Sequence, residues 1–245
     1  MCTLAVALGQ DRRWPVVVAA NRDERLGRPS EPWGLREGPA GTRFAAPRDA
    51  LAGGTWIGLS ARGVLAALTN YHAPFEWYPD DGRRSRGEIV GLALSAPDVG
   101  AARAALLAEE AHRWNPFHLV VADARDAFLW WYDGERAGVR ELGTGLHVVT
   151  ERSPDGSCPR GDLVRARWPV EPALPKLREV LTVHAPPPER ATCIHMDPAY
   201  GTRSAAVLRL APDLGASELY VAEARPCLAP LEDRSDLLAA LARTA

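Results

Sequence analysis

Two apolar runs open the chain, Cys2-Thr-Leu-Ala-Val-Ala-Leu and Trp14-Pro-Val-Val-Val-Ala-Ala, separated by the polar stretch Gly9-Gln-Asp-Arg-Arg13. Short runs rich in Val, Leu and Ala, bounded by turn residues, read as strands, and a polar break of this length predicts a hairpin. Residues 21 to 53 carry Pro29, Pro32, Pro39 and Pro47 among scattered Gly and Ala with no sustained period, which predicts a long loop. Thr55-Trp-Ile-Gly-Leu-Ser and Val64-Leu-Ala-Ala-Leu-Thr then predict a second hairpin across Ala61-Arg62-Gly63.

The period changes after this. Ser85-Arg-Gly-Glu88 has the spacing of a capping box and predicts a helix through Ile89, Leu92 and Leu94, and Asp98 is placed to cap another reaching about His112. Four further strands follow at 117–122, 128–132, 139–142 and 146–150, with Asp133-Gly134 as a turn signal, then helices at 161–168 and 174–184. Strands resume at 191–196, 203–210 and 218–223, and a helix over 231–242 closes the pattern. Groups of strands alternating with pairs of helices predict an α+β fold of two antiparallel sheets flanked by helix layers, with no linker dividing residues 1–245 into more than one domain.

Composition narrows the function. With 47% apolar and 24% charged residues the chain has the makings of a packed core and is not a disordered or low-complexity protein. A net charge of -2 gives no general attraction to nucleic acid or to an anionic membrane, so neither is expected as a partner. The first apolar run is broken at Gly9, and no stretch is apolar for long enough to cross a bilayer, so neither export nor a membrane span is expected. Four cysteines without paired ligand spacing fit a reduced, cytoplasmic protein. The six histidines form no H-x-x-H or H-E-x-x-H pattern, so no metal site is expected.

Cys2 is the residue with most chemistry to offer. If Met1 is removed, one residue carries both a thiol and an α-amine whose ordinary pKa, about 7.7–8.0, lets it take a proton at neutral pH. A terminal ammonium beside the sulfur is expected to favour the thiolate, the attacking species. Antiparallel pairing of the first two strands brings Cys2 beside Asn21-Arg22-Asp23-Glu24, which the pattern sets where the second strand gives way to a loop. There a carboxylate can hold the ammonium, and Arg22 can pair with a substrate carboxylate or stiffen the loop. Cys158-Pro159 has the form of a haem-ligating dipeptide, and Trp130-Trp131-Tyr132 can line a pocket or pack as core.

Met1-Cys2 with Asn21-Arg22-Asp23-Glu24 resembles the start of the NRDE family. Further matches run in the family's order: Gly54-Thr-Trp-Ile-Gly58, Leu68-Thr-Asn70, Ser85-Arg-Gly87, Asn115-Pro-Phe117 and Tyr200-Gly-Thr-Arg-Ser204. The resemblance implies the four-layer αββα sandwich of the N-terminal nucleophile hydrolases, whose thiol branch cleaves amides such as penicillins and bile-salt conjugates. It implies Cys2, Asp23, Asn70 and Arg203 as the catalytic set, with Asn70 donating to an oxyanion, and Asn21, Arg22, Glu24, Trp56 and Glu151 around the ligand. It leaves open which of Arg22 and Asn21 joins the chemistry.

One departure stands out. The family tends to have Leu-Ser-Asn after a Gly-x-His segment, whereas here Gly145-Leu-His-Val-Val-Thr-Glu151 ends on an anion, which is expected to repel an oxyanion. The expectation is an amidohydrolase-like protein that acts on the amide or thioester carbonyl of a small molecule and needs no cofactor. The alternative implied by the resemblance is a carrier of haem or acyl-CoA in the same pocket.

Overall fold

The computed structural model describes residues 2–72, 79–196 and 198–244. The first sheet contains β1 (Cys2–Leu8) and β2 (Val16–Arg25), the expected hairpin, turned through Gly9 at φ +62° with Asp11 Oδ1 accepting from the Arg13 and Trp14 amides. The segment expected to be a loop instead holds β3 (Ser30–Glu37) and β4 (Arg43–Asp49). Two of its prolines sit in strands at tolerant positions. Pro32 is on β3, the edge of its sheet, beside a register shift between Glu31 and Gly34, and Pro47 follows the last β4 residues paired to β5. Among the described residues six strands therefore precede the first α-helix, two more than the sequence pattern predicts.

β5 (Ile57–Ser60) and β6 (Leu65–Asn70) form the second expected hairpin, and Gly63 at φ +79° supplies the turn. The helix α1 (Gly87–Leu94) starts later than predicted and without the capping box, because Glu88 pairs with Arg84 instead of reaching back. Asp98 does cap α2 (Val99–Leu107), its carboxylate accepting from the Ala101 amide at 2.8 Å, but the helix stops well before His112. The strands β7 (Phe117–Ala122), β8 (Ala127–Tyr132), β9 (Ala137–Glu141) and β10 (Gly145–Thr150) follow the sequence pattern closely. Then come α3 (Pro159–Arg167), α4 (Leu174–Leu181), the two-residue β11 (His195–Met196), β12 (Tyr200–Leu210), β13 (Glu218–Ala222), β14 (Glu232–Asp233) and α5 (Ser235–Ala242).

The strands form two antiparallel sheets. One has the order β10-β1-β2-β12-β13-β14, with β11 on β12, and the other runs β3 through β9 in sequence. The central strands of both are covered on both sides, which is why β1, β6, β7 and most of β2 and β8 are apolar, whereas the edge strands β3, β9 and β14 are polar and exposed. Alternation survives in residue size: Leu4, Val6, Leu8, Val16 and Val18 join the core between the sheets, whereas Ala5, Ala7, Val17 and Ala19 face α3 and α4. On the other sheet Leu65 and Ala67 point to that same core, and Ala66 and Leu68 pack under α1 and α2. The layers are thus helix, sheet, sheet, helix, as expected. No helix among the described residues is long and apolar enough to cross a membrane.

Candidate functional site

Register fixes the site. Cys2 pairs with Arg22 across β1 and β2, and β12 takes the other side of β2, setting Thr202 opposite Asp23 and Gly201 opposite Glu24. The Asn21–Glu24 tetrad is therefore not at a strand-to-loop transition, as the sequence pattern implied, but inside the ladder, with β12 holding it straight through Arg25. The register of β12 slips between Thr202 and Ser204 and leaves Arg203 out of step with the ladder.

A cavity of about 570 Å³ opens where the two sheets meet, lined by Cys2, Arg22, Asp23, Glu24, Trp56, Asn70, His72, Arg86 and Tyr200 among others. Cys2, Asp23, Asn70, Arg22, Glu24 and Trp56, all expected at the site, are thus brought together. Three other expected residues are placed differently. Arg203 Nη1 donates to the Leu26 carbonyl at 2.6 Å and is not on the cavity wall. Asn21 Nδ2 donates to the carbonyls of Leu181 and Thr192, tying β2 to the end of α4 and to the segment after it. Glu151 is buried behind the cavity wall.

Glu151, expected to bring an anion to the site, is paired below the surface. Its carboxylate accepts from Arg160 Nη1 at 2.8 Å, and the same nitrogen lies 3.9 Å from Asp23 Oδ2, with all three side chains essentially inaccessible to solvent. One guanidinium sits between two carboxylates, so the charge of Glu151 is partly offset by Arg160 yet still acts on the Cys2 sulfur. Arg160 had no sequence signal, because it lies on α3 and reaches Asp23 only through tertiary packing. Tyr200 and Thr202, which the sequence offered only as part of a matching segment, both hold Asp23. Thr202 Oγ1 donates to its Oδ1 at 2.6 Å, and the Tyr200 hydroxyl donates to its backbone carbonyl at 3.0 Å.

Burial raises the Asp23 carboxyl to about 7, with the terminal ammonium, Arg160 and the Thr202 hydroxyl opposing. Burial also pushes the Cys2 thiol above its ordinary value, and the charges of Asp23 and Glu151 add to that against the ammonium and the Asp23 amide. With Met1 in place, burial therefore favours the thiol form of Cys2.

The Arg22 guanidinium stacks on Trp56 at 4.1 Å and lies 3.6 Å from both Glu24 and Asp49, leaving Nη1 without a hydrogen-bond partner among the described residues. Burial pulls Arg86 down to about 10, and its Nη1 donates to the Pro116 carbonyl at 3.0 Å. Cys158 begins α3, with its sulfur 3.5 Å from Thr150 Oγ1, and does not line the cavity. Trp130 packs as core against Phe117, whereas Trp131 is half-buried.

Beside this cavity lies another of about 830 Å³, lined in part by Leu35, Phe44, Ile89, Leu92 and Trp114. Gly54 and Gly87 line both, and their backbones touch so closely that a Cβ on Gly54 would lie 2.8 Å from Gly87.

Solved structures share this fold. The chain superposes on penicillin V acylase from Agrobacterium tumefaciens with a TM-score of 0.55 at 17% identity, covering 91% of this chain and 83% of the other. It superposes on the Caenorhabditis elegans ortholog of N-acylethanolamine-hydrolyzing acid amidase with a TM-score of 0.52 at 13% identity, covering 85% and 92%. At these identities the likeness is one of fold.

In sequence, the chain is 38% identical over 117 residues to the human Transport and Golgi organization protein 2 homolog, covering 46% of this chain and 40% of the relative. The mouse homolog is also 38% identical, over 112 residues, 44% of this chain and 38% of the relative. The matched part spans about two fifths of these relatives. The family model Transport and Golgi organisation 2 matches residues 1–169, and the chain belongs to that family.

Proposed function

We propose that the protein is an amide or thioester hydrolase whose nucleophile is Cys2 after loss of Met1, a residue that lies outside the described part of the structure. The observation that carries this reading is the cavity wall itself, where a strand-initial cysteine, a buried carboxylate and a strand-end amide converge from two sheets. Cys2 Sγ attacks the carbonyl carbon as its proton passes to the α-amine, which compensates for a thiol that burial keeps protonated. Asp23 orients the resulting ammonium, and the Asn70 side-chain N–H donates to the oxyanion. The C–N or C–S bond breaks as the ammonium protonates the leaving group, and water then splits the thioester and restores the thiol. Arg22 Nη1 supports recognition of an oxygen on the substrate.

A carrier reading draws on one observation: the charged cavity and the more apolar one beside it share a wall, which suits a ligand with a polar head and an apolar tail such as acyl-CoA. Haem gains no comparable support, because Cys158 is not on the cavity wall. The test sets wild type beside Cys2→Ala on a panel of amides and thioesters, with haem and acyl-CoA titrations in parallel. Hydrolysis by wild type and not by Cys2→Ala supports the hydrolase. Turnover persisting in Cys2→Ala refutes it, and saturable acyl-CoA binding by both proteins with no hydrolysis favours the carrier.

A further inference from the structure

A second constellation lies behind β12, and the sequence spacing did not reveal it. His184 follows α4, Cys193 stands on the segment leading into β11, His195 opens β11, and Cys227 lies in the loop after β13. One ligand atom from each falls within 4.8 Å of the other three. The Cys193 and Cys227 sulfurs are 3.5 Å apart, and His195 Nε2 lies 3.7 Å from the first and 3.2 Å from the second. The ring of His184 stands edge-on to that of His195, with centroids 4.7 Å apart.

We propose that His184, Cys193, His195 and Cys227 form a structural site for a tetrahedral divalent metal, zinc being the fitting ion. Zinc bonds of about 2.3 Å to sulfur and about 2.0–2.1 Å to nitrogen give a tetrahedron with edges of roughly 3.3–3.8 Å. The three separations among Cys193, His195 and Cys227 already lie close to that range, so only exposed His184 has to swing inward to complete the set. A donor set of two thiolates and two imidazoles in tetrahedral reach selects zinc over hard cations. A disulfide between the two cysteines is the competing arrangement, but the sulfurs lie well beyond the bonding distance of about 2.05 Å, and a disulfide gives the two histidines no role. Metal at His195 Nε2 leaves the ring proton on Nδ1. The Arg225 Nη1 donor now 3.3 Å from Nδ1 then turns toward the thiolates, whose charge it complements.

The site has a job in the fold. Thr192, next to Cys193, accepts from Asn21 through its carbonyl and donates its hydroxyl to Val180 at 2.6 Å. Ile194, between the two ligands, donates its amide to Thr202 Oγ1 at 2.7 Å, and that same hydroxyl holds Asp23. The approach is tight enough that a Cβ on Gly201 would come within 2.6 Å of the Ile194 carbonyl. A metal at this point fastens the 184–195 segment to the 227 loop and so braces the residues behind Asp23.

The test uses the full chain, reduced, stripped with a chelator and titrated with Co²⁺, and its readout needs no hydrolysis, so it stands or falls apart from the proposed activity. The expected result is one equivalent of tetrahedral cobalt with a thiolate-to-metal charge-transfer band, displaced by one equivalent of Zn²⁺. Cys193→Ser and Cys227→Ser should weaken the charge-transfer band and lower affinity at least tenfold. His184→Ala should lower affinity without removing the band, and Cys158→Ala should behave as wild type. Because Cys227 and His184 are less buried than Cys193, their variants report even if Cys193→Ser fails to fold. A pale octahedral spectrum, a band unchanged in Cys227→Ser, or no cobalt uptake by the reduced chain would overturn the proposal.

Discussion

At the cavity, β2 and its neighbours contribute Arg22 and Asp23, backed by the fully buried Arg160 and Glu151, whereas β6 and β7 of the facing sheet contribute one polar side chain, Asn70, backed by Phe117, Trp114 and Trp130. The ring of Phe117 meets Trp130 edge-on at 4.8 Å, and Trp114 meets it at 6.3 Å. One sheet carries desolvated charge at its site end, and the other carries close-packed aromatic surface. Buried ion pairs return little net stability, while aromatic burial returns much. The first sheet therefore carries the buried ionisable groups of the candidate site, and the second brings Asn70 to it from a closely packed aromatic layer.

Breaking the aromatic side should give the largest effect. Trp130→Ala is expected to cost about 3–5 kcal/mol in urea unfolding, yet to leave the reactivity of Cys2 per folded molecule unchanged. Loss of that reactivity in the molecules still folded would show that the two sheets do not divide their roles.

On the charged side, Arg160→Met should cost about 3 kcal/mol or more, because Glu151 and Asp23 are left buried without their shared cation. Unfolding curves that superpose on wild type would mean that the ion cluster is not integral to the fold. Asn70→Ala is smaller still in stability, since the side chain ends a strand at the cavity, but it should lower turnover about 10²–10³-fold. A stability loss as large as that of Trp130→Ala would make Asn70 a structural residue.

The pH dependence sharpens the same contrast. The Asp23 carboxyl, raised to about 7 in the fold, returns to about 3.9 on unfolding. Between those values the unfolded chain has released the proton that the folded chain still holds, so this group's contribution falls as pH rises from about 4 to about 7 and is level above. Relative to Asp23→Asn, wild type should lose stability across that window. A difference that stays constant or grows with pH would contradict the burial argument.

Much of the frame was legible in the chain because two-residue alternation and turn glycines are local signals. Both early hairpins, the strands from Phe117 to Thr150 and the Asp98 cap appear where the pattern sets them. β3 and β4 were hidden because Pro32 and Pro47 read as breaks, and only an edge strand beside a register shift and a position past the pairing of β4 with β5 make them tolerable.

At the site, Cys2 beside the Asn21–Glu24 tetrad followed from antiparallel pairing alone, and the ladder sets it opposite Arg22. Arg160 did not, because its contact with Glu151 and Asp23 depends on how α3 packs against the sheet. The four ligand atoms behind β12 were missed for the same reason, coming from two separate stretches of chain with no standard spacing.

Whether Cys2 is a terminal nucleophile is decided by the mass of the N-terminal peptide after a brief pulse with an activated acyl thioester, using protein from the native host. The expected peptide begins at Cys2 and carries the acyl group. A peptide that retains Met1 and stays unmodified while the thioester is consumed would contradict that role.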